Sequence, residues 1–159
     1  MTQQEDYRNW AQHFGKSTVH PDLLREFQRA GVKDAPAIKR GMLHTRIGFP
    51  GLTVNFAHPI IIPTIEKVGA RTGILYGIAL HFSGSTPYRG WIPFGVAATD
   101  NRESLRKKLG SPDKFDNEEA WDEWSIDGYV VTAMYKDSFE ALMSLSAYLP
   151  EPGAKSDGT

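Results

Sequence analysis

Trp121-Asp-Glu-Trp-Ser-Ile-Asp-Gly-Tyr-Val-Val-Thr-Ala-Met-Tyr-Lys-Asp-Ser-Phe-Glu-Ala-Leu-Met-Ser-Leu-Ser-Ala-Tyr-Leu149 divides into three strand-like runs. These are Trp121 to Ile126, Tyr129 to Tyr135 and Phe139 to Leu149, joined by Asp127-Gly128 and by Lys136-Asp137-Ser138. An Asp-Gly pair between apolar runs is a strong hairpin signal, because a two-residue turn matched to strand twist needs positive φ at both positions. The stretch therefore predicts an antiparallel meander. Immediately upstream, Thr99-Asp100-Asn101 offers side-chain acceptors for the open amides of a helix start. Leu105 and Leu109 share one face of that helix, Arg102, Arg106, Lys107 and Lys108 take the water side, and Gly110-Ser-Pro112 ends it.

The order of these parts resembles a group of small bacterial immunity proteins, which neutralise toxins used in competition between bacteria. The resemblance is carried by Ile92-Pro-Phe-Gly95, by Asp100-Asn-Arg-Glu-Ser-Leu-Arg-Lys-Lys-Leu-Gly-Ser-Pro112, and by Trp124-Ser-Ile-Asp-Gly-Tyr129 with Tyr135 beyond it. It covers roughly the C-terminal two fifths of the chain. A similar helix-then-hairpin unit occurs in outer-membrane assembly lipoproteins. The resemblance to the immunity proteins implies a non-enzymatic protein that binds a cognate toxin and covers its active site or holds it inactive. The lipoprotein likeness implies instead an assembly or adaptor module.

The first half repeats the grammar of helix, glycine, charged loop, strand, turn and strand. Glu5 to Phe14 places Tyr7, Trp10, Ala11 and Phe14 on one helical face. His20-Pro21-Asp22 opens a second helix with Leu23, Leu24, Phe27 and Ala30 inward. Met42 to Ile47 and Leu52 to Phe56 read as a hairpin around Phe49-Pro-Gly51. Leu23 to Phe56 would correspond to Leu105 to Tyr135, although few residue identities match. If the halves are repeats, their strands form one sheet with the helices on one face. His58-Pro-Ile-Ile-Ile-Pro63 fits an edge strand or an extended connection. Gly73 to Phe82 fits a central strand, with a buried helix as the alternative. The fold class expected is α+β: an antiparallel sheet meander of about five to seven strands with about three short helices packed on it.

With 159 residues, 40% hydrophobic and 23% charged, residues 1–150 suit one domain, with subdomains 1–62 and 73–150 as the alternative division. The polar, breaker-rich 151–159 reads as a flexible tail. Zero cysteine excludes disulfides, thiolate metal sites and cysteine nucleophiles. Met1 to Arg8 has no basic segment followed by an apolar run, and no stretch approaches the roughly 20 apolar residues of a membrane span. A cytoplasmic protein is expected, and with it a toxin that acts in the cytoplasm, such as a nuclease. No membrane partner is expected.

The net charge of −1 conceals an uneven distribution. Arg25, Arg29, Lys33, Lys39, Arg40 and Arg46 face only Glu26 and Asp34 within 25–46. Asp113, Asp116, Glu118, Glu119, Asp122, Glu123 and Asp127 face only Lys114 within 113–127. The two ends of the molecule are expected to differ in sign. No helix-turn-helix or zinc spacing accompanies the basic stretch, so nucleic acid is not an expected partner. The acidic stretch lacks the alternating ligands and central glycine of a calcium loop. It reads either as a surface that steers a basic partner or as a solvated face.

Trp121 and Trp124, three apart on a strand, point to opposite faces unless a bulge buries both. Tyr88, Arg89 and Trp91 read as a contact patch or as cover for the end of the sheet. The residues expected at a toxin interface are thus Asp113, Asp116, Glu118, Glu119, Asp122, Glu123, Trp121, Trp124, Tyr88 and Trp91. No catalytic residue, metal or cofactor is expected: the five histidines lack zinc-protease spacing, Gly84-Ser85 lacks a nucleophile elbow, and Gly69-Ala-Arg-Thr-Gly73 lacks the lysine of a phosphate loop. A small enzyme with a pocket around His44, His81 and Arg46 is the remaining alternative.

Overall fold

The computed structural model describes residues 4–152, so the expected tail falls, from 153 onward, outside the described residues. The elements run α1 Tyr7–Ala11, α2 Pro21–Arg29, β1 His44–Phe49, β2 Leu52–Ala57, β3 Ile74–His81, α3 Arg102–Leu109, β4 Lys114–Asp116, β5 Trp121–Ile126, β6 Tyr129–Lys136 and β7 Ala141–Tyr148. The strands form one seven-stranded sheet in the order β1-β2-β3-β7-β6-β5-β4, with every neighbouring pair antiparallel. The α+β class, the antiparallel meander and the three short helices are as expected.

Each half of the chain supplies a meander, and the two meet where β3 pairs with β7. Leu80 faces Leu145 and Ile78 faces Ala147 across that junction. Alternation then carries one apolar row from Val54 through Ile78, Ala147 and Val131 to Trp124. Tyr7, Trp10, Leu23 and Phe27 of α1 and α2 pack on the β2–β3 part of this face, and Leu105 of α3 on the β5–β7 part. Phe82, Ile92 and Phe94 touch both clusters and join them into one core.

Arg46, Asn55, Gly77, Tyr148, Val130 and Ser125 form a row across the opposite face. That face is open apart from one corner, where residues 58–73 lay Ile62 on Ala57 and Ile74. The Tyr148 ring lies flat on Gly77, where an added Cβ would fall 2.0 Å from a ring carbon.

Several local readings change. His58 to Pro63 is an irregular connection and not a strand, since its two prolines remove ladder donors. Leu24, expected inward, is 44% exposed. Glu26 points inward instead, because His13 Nε2 bonds it at 3.0 Å and Arg29 holds its other oxygen. Helix α1 is one turn long; Asp6 caps it by accepting from the Arg8 amide at 2.9 Å. Glu5 turns under it, accepting from Trp10 Nε1 at 3.0 Å.

Turn chemistry matches the sequence. Asp127 and Gly128 both take positive φ, as the Asp-Gly signal requires. Gly51 closes the β1–β2 hairpin at φ +73°, and an added Cβ would fall 2.4 Å from the Tyr88 backbone nitrogen. Gly51→Ala therefore combines left-handed strain with overpacking against backbone. It should cost about 2–4 kcal/mol in urea unfolding, whereas Gly128→Ala, with open space around it, should cost only about 1.

Helix α3 is held by a reciprocal cap between Asn101 and Ser104. Asp100 accepts from the Ala97 amide (2.7 Å), Lys108 Nζ (2.7 Å) and Ser104 Oγ (2.8 Å). Burial alone would raise its carboxyl, but these hydrogen bonds and the Lys108 charge outweigh burial and hold it below the usual carboxylate range. A depressed folded pKa stabilises above the unfolded value of about 3.9 and is lost as pH falls through the folded value. The stability gap between the parent protein and Asp100→Asn, measured by denaturation, should be full at pH 6 and shrink below about pH 4.

Candidate functional site

The acidic stretch forms the outer edge of the sheet. Its start, Lys114–Asp116, is strand β4, which the sequence did not signal because three residues are too short for a periodic pattern. Phe115 faces Asp122 and Asp116 faces Trp121 in the ladder with β5. Alternation thus puts Phe115 and Asp122 on the helix side, and Asp116, Trp121, Lys114 and Glu123 on the open side.

Asp122 is not a surface charge. It is 1% exposed and accepts two hydrogen bonds from Arg106, 2.9 Å from Nε and 2.6 Å from the terminal nitrogen. Tyr135 Oη donates to the same carboxylate at 2.9 Å. Burial, this hydrogen bond and the Asp122 charge push the Tyr135 phenol far above its ordinary range. Trp124 is likewise internal, donating from Nε1 to the Gly110 carbonyl at 2.9 Å and so satisfying the end of α3. Both leave the expected interface because the helix-facing register of β5 buries them.

Tyr88 is also buried. Its hydroxyl accepts from the Tyr7 amide at 3.0 Å and donates to the Trp91 carbonyl at 2.6 Å. Trp91 is 46% exposed, packed on Tyr7 with the Arg8 guanidinium 5.3 Å from its ring. Its amide donates to Asp6 at 3.1 Å. Tyr88 and Trp91 therefore fasten the 83–101 connection to α1, apart from the acidic edge.

What the fold does gather is a smaller set. Trp121 is half-buried on the open face, opposite to Trp124, as the strand period requires. Asp116 Oδ1 accepts from the amides of Glu118 and Glu119 at 2.9 and 2.8 Å, which throws both glutamate side chains outward. Asp113 accepts from the Ser125 amide at 2.7 Å and pins the adjoining loop to β5. Glu123 is half-buried beside Asp116 and Trp121 on the open side. Phe115, absent from the sequence-based set, is 57% exposed, with the Arg106 guanidinium 5.5 Å from its ring. Its signal was present as a lone aromatic in an otherwise polar run.

The histidine alternative separates. His44 pairs with Ala57 and Ala57 with Ile74 at the start of β3, while His81 ends that strand. Seven strand steps along β3 span about 23 Å, and His44 lies two strands further across the sheet, so the two histidines do not converge on one pocket. His81 bonds Thr53 Oγ1 at 3.0 Å, and burial followed by the Arg46 charge lowers its pKa. Among the described residues, no group of three or more His, Asp and Glu side chains is placed to hold a metal ion.

These features define the class of protein: an α+β single-sheet protein with helices on one face, a largely open opposite face and an aromatic, carboxylate-rich sheet edge. In comparisons with protein-family models, curated proteins and solved structures, nothing matches the chain. No helix among the described residues is long and apolar enough to cross a membrane.

The buried and exposed carboxylates of this edge separate by mutation. Asp122→Ala strands the Arg106 charge and the Tyr135 hydroxyl, and should cost about 3 kcal/mol, the lower end for a broken buried pair because Arg106 keeps access to water. Glu118→Gln with Glu119→Gln should shift stability by less than about 0.5 kcal/mol in the same denaturation assay.

Proposed function

We propose that the protein is an immunity protein that binds a cytoplasm-acting toxin and blocks its active site. The observation that carries this reading is Phe115, an exposed aromatic on the helix side of the outermost strand, on a sheet edge that also carries Asp116, Glu118 and Glu119. A large apolar side chain on an edge that also carries several carboxylates suits a partner that is basic around an apolar hollow. The charges speed and orient the encounter, while the aromatic supplies buried area. A nuclease has this chemistry, because the groove that holds a phosphate backbone is lined with cations. The resemblance of 92–135 to immunity proteins supports the same reading.

The contact surface on this reading wraps the sheet edge, with Phe115 on the helix side, Trp121, Asp116 and Glu123 on the open side, and Asp113, Glu118 and Glu119 in the adjoining loops. The buried Asp122 and Trp124 hold the surface in shape. Strand β4 is the last in the sheet order, so an extended segment of the toxin can also add to the sheet there by backbone hydrogen bonds.

The test is co-expression with the product of a neighbouring gene, followed by growth measurement and co-purification. A tight complex and rescued growth are expected. Phe115→Ala should weaken the complex by about 30-fold or more, as for an interface hot spot. Asp116→Asn, Glu118→Gln and Glu119→Gln together should weaken it mainly through slower association and flatten its salt dependence. Undiminished binding by both variants overturns the assigned surface. A stable complex with a non-toxic partner, and no rescue, moves the reading to an assembly or adaptor module.

A further inference from the structure

At the other end of the strand order, beside β1, lies a concentration of cations that the toxin-facing edge does not use. Of the basic side chains in 25–46, Arg25 bonds Asp22, and Arg29 bonds Glu5 and Glu26. Lys39, Arg40 and Arg46 differ. Together with Arg71 they are exposed and have neither an ion pair nor a side-chain hydrogen bond among the described residues.

The fold brings these four together from distant parts of the chain. The Ile38 amide bonds the Arg71 carbonyl at 2.9 Å, and Ala37 bridges Thr72. Two adjoining clefts result, sharing Lys39 and Met42 as the ridge between them. One, of about 420 Å³, is walled by His44, Arg46 and Asn55. The other, of about 380 Å³, is walled by Arg40, His58 and Arg71. Neither lining contains a carboxylate. His58 Nδ1 accepts from the Ile60 amide at 3.0 Å, which leaves its other ring nitrogen as a donor.

Apolar side chains accompany the charge. Met42 is 56% exposed on the ridge, and Leu43 (45%) and Ile60 (74%) flank His58, whose amide bonds the Leu43 carbonyl at 2.8 Å. Four like charges gathered around clefts whose linings hold no carboxylate repel one another, weakly because they are exposed, and an anion between them turns that repulsion into attraction. Arginine forks match phosphate oxygens in pairs, and lysine adds a mobile point charge.

We propose that the paired clefts astride Lys39 and Met42 are a binding site for a phosphate-bearing ligand with an apolar portion. Phosphate oxygens sit among Arg46, Lys39 and Arg71, with Asn55 and the histidines as further donors, and the apolar portion lies on Met42. The ligand is either a free phosphorylated molecule or a phospholipid headgroup whose chains meet Leu43 and Ile60. The site stands independently of the toxin-binding reading, since it shares no residue with the acidic edge.

The experiment titrates the full chain with tripolyphosphate, with ATP, and with vesicles of phosphatidylglycerol or of phosphatidylcholine, at an ionic strength of about 0.15 M. Saturable binding of at least one phosphate probe is expected, and Arg46→Ala with Arg71→Ala should weaken it by at least ~10-fold. Lys107→Ala, on exposed α3, should leave it unchanged. Binding of the soluble probes assigns a free ligand. Binding only to phosphatidylglycerol vesicles, weakened by Met42→Ser, assigns a lipid headgroup. Binding of none of the probes, or binding unaltered in the double variant, overturns the site.

Discussion

The pairing of β3 with β7 is the constraint on which the structure depends. Each half of the chain makes its own meander. Leu80 against Leu145 and Ile78 against Ala147 turn two small sheets into one, and the apolar rows then run without a break from Leu52 to Ala133 and from Val54 to Trp124. The helices are packed against those rows. Because β3 and β7 lie far apart in sequence, this junction closes a long loop, and the two meanders supply the local contacts that precede it.

The junction also sets the polarity of the molecule. Fusing the meanders through their last strands leaves β1 and β4 as the two outer edges, one drawn from the basic first half and the other from the acidic second. The expectation that the two ends differ in sign is met, and its cause is topological. Carboxylates at one edge and uncompensated cations at the other are separated by five strands. Had the chain joined β1 to β4 instead, the charges would have met and cancelled.

Burial divides residues that the sequence presents as equivalent. In Asp113 to Glu123 every carboxylate looks alike, yet Asp122 locks α3 to the sheet through Arg106 and Tyr135 while Glu118 and Glu119 stand in water. The same division appears in the first half, where Glu5 and Glu26 lie inside with Arg29 between them and Asp22 stays near the surface. A buried carboxylate persists only where hydrogen-bond donors replace water, so its helix-borne arginine partner marks it as structural.

Local chemistry was sufficient to specify the hairpins, the capped α3, the central β3 and the opposite faces of Trp121 and Trp124. Each of these rests on a period of two or of 3.6 residues, or on a turn residue whose φ is forced, and such information is contained in neighbouring residues. Strand β4 was too short to show a period, and Leu24 lost its inward place to Glu26 because His13, from the turn after α1, and Arg29 lay within reach of the carboxylate. The sheet order, the burial of Asp122, Tyr88 and Trp124, the exposure of Phe115 and the gathering of Lys39, Arg40, Arg46 and Arg71 were decided only by tertiary structure. They depend on which distant strands pair, and nothing within a short window of sequence carries that contact.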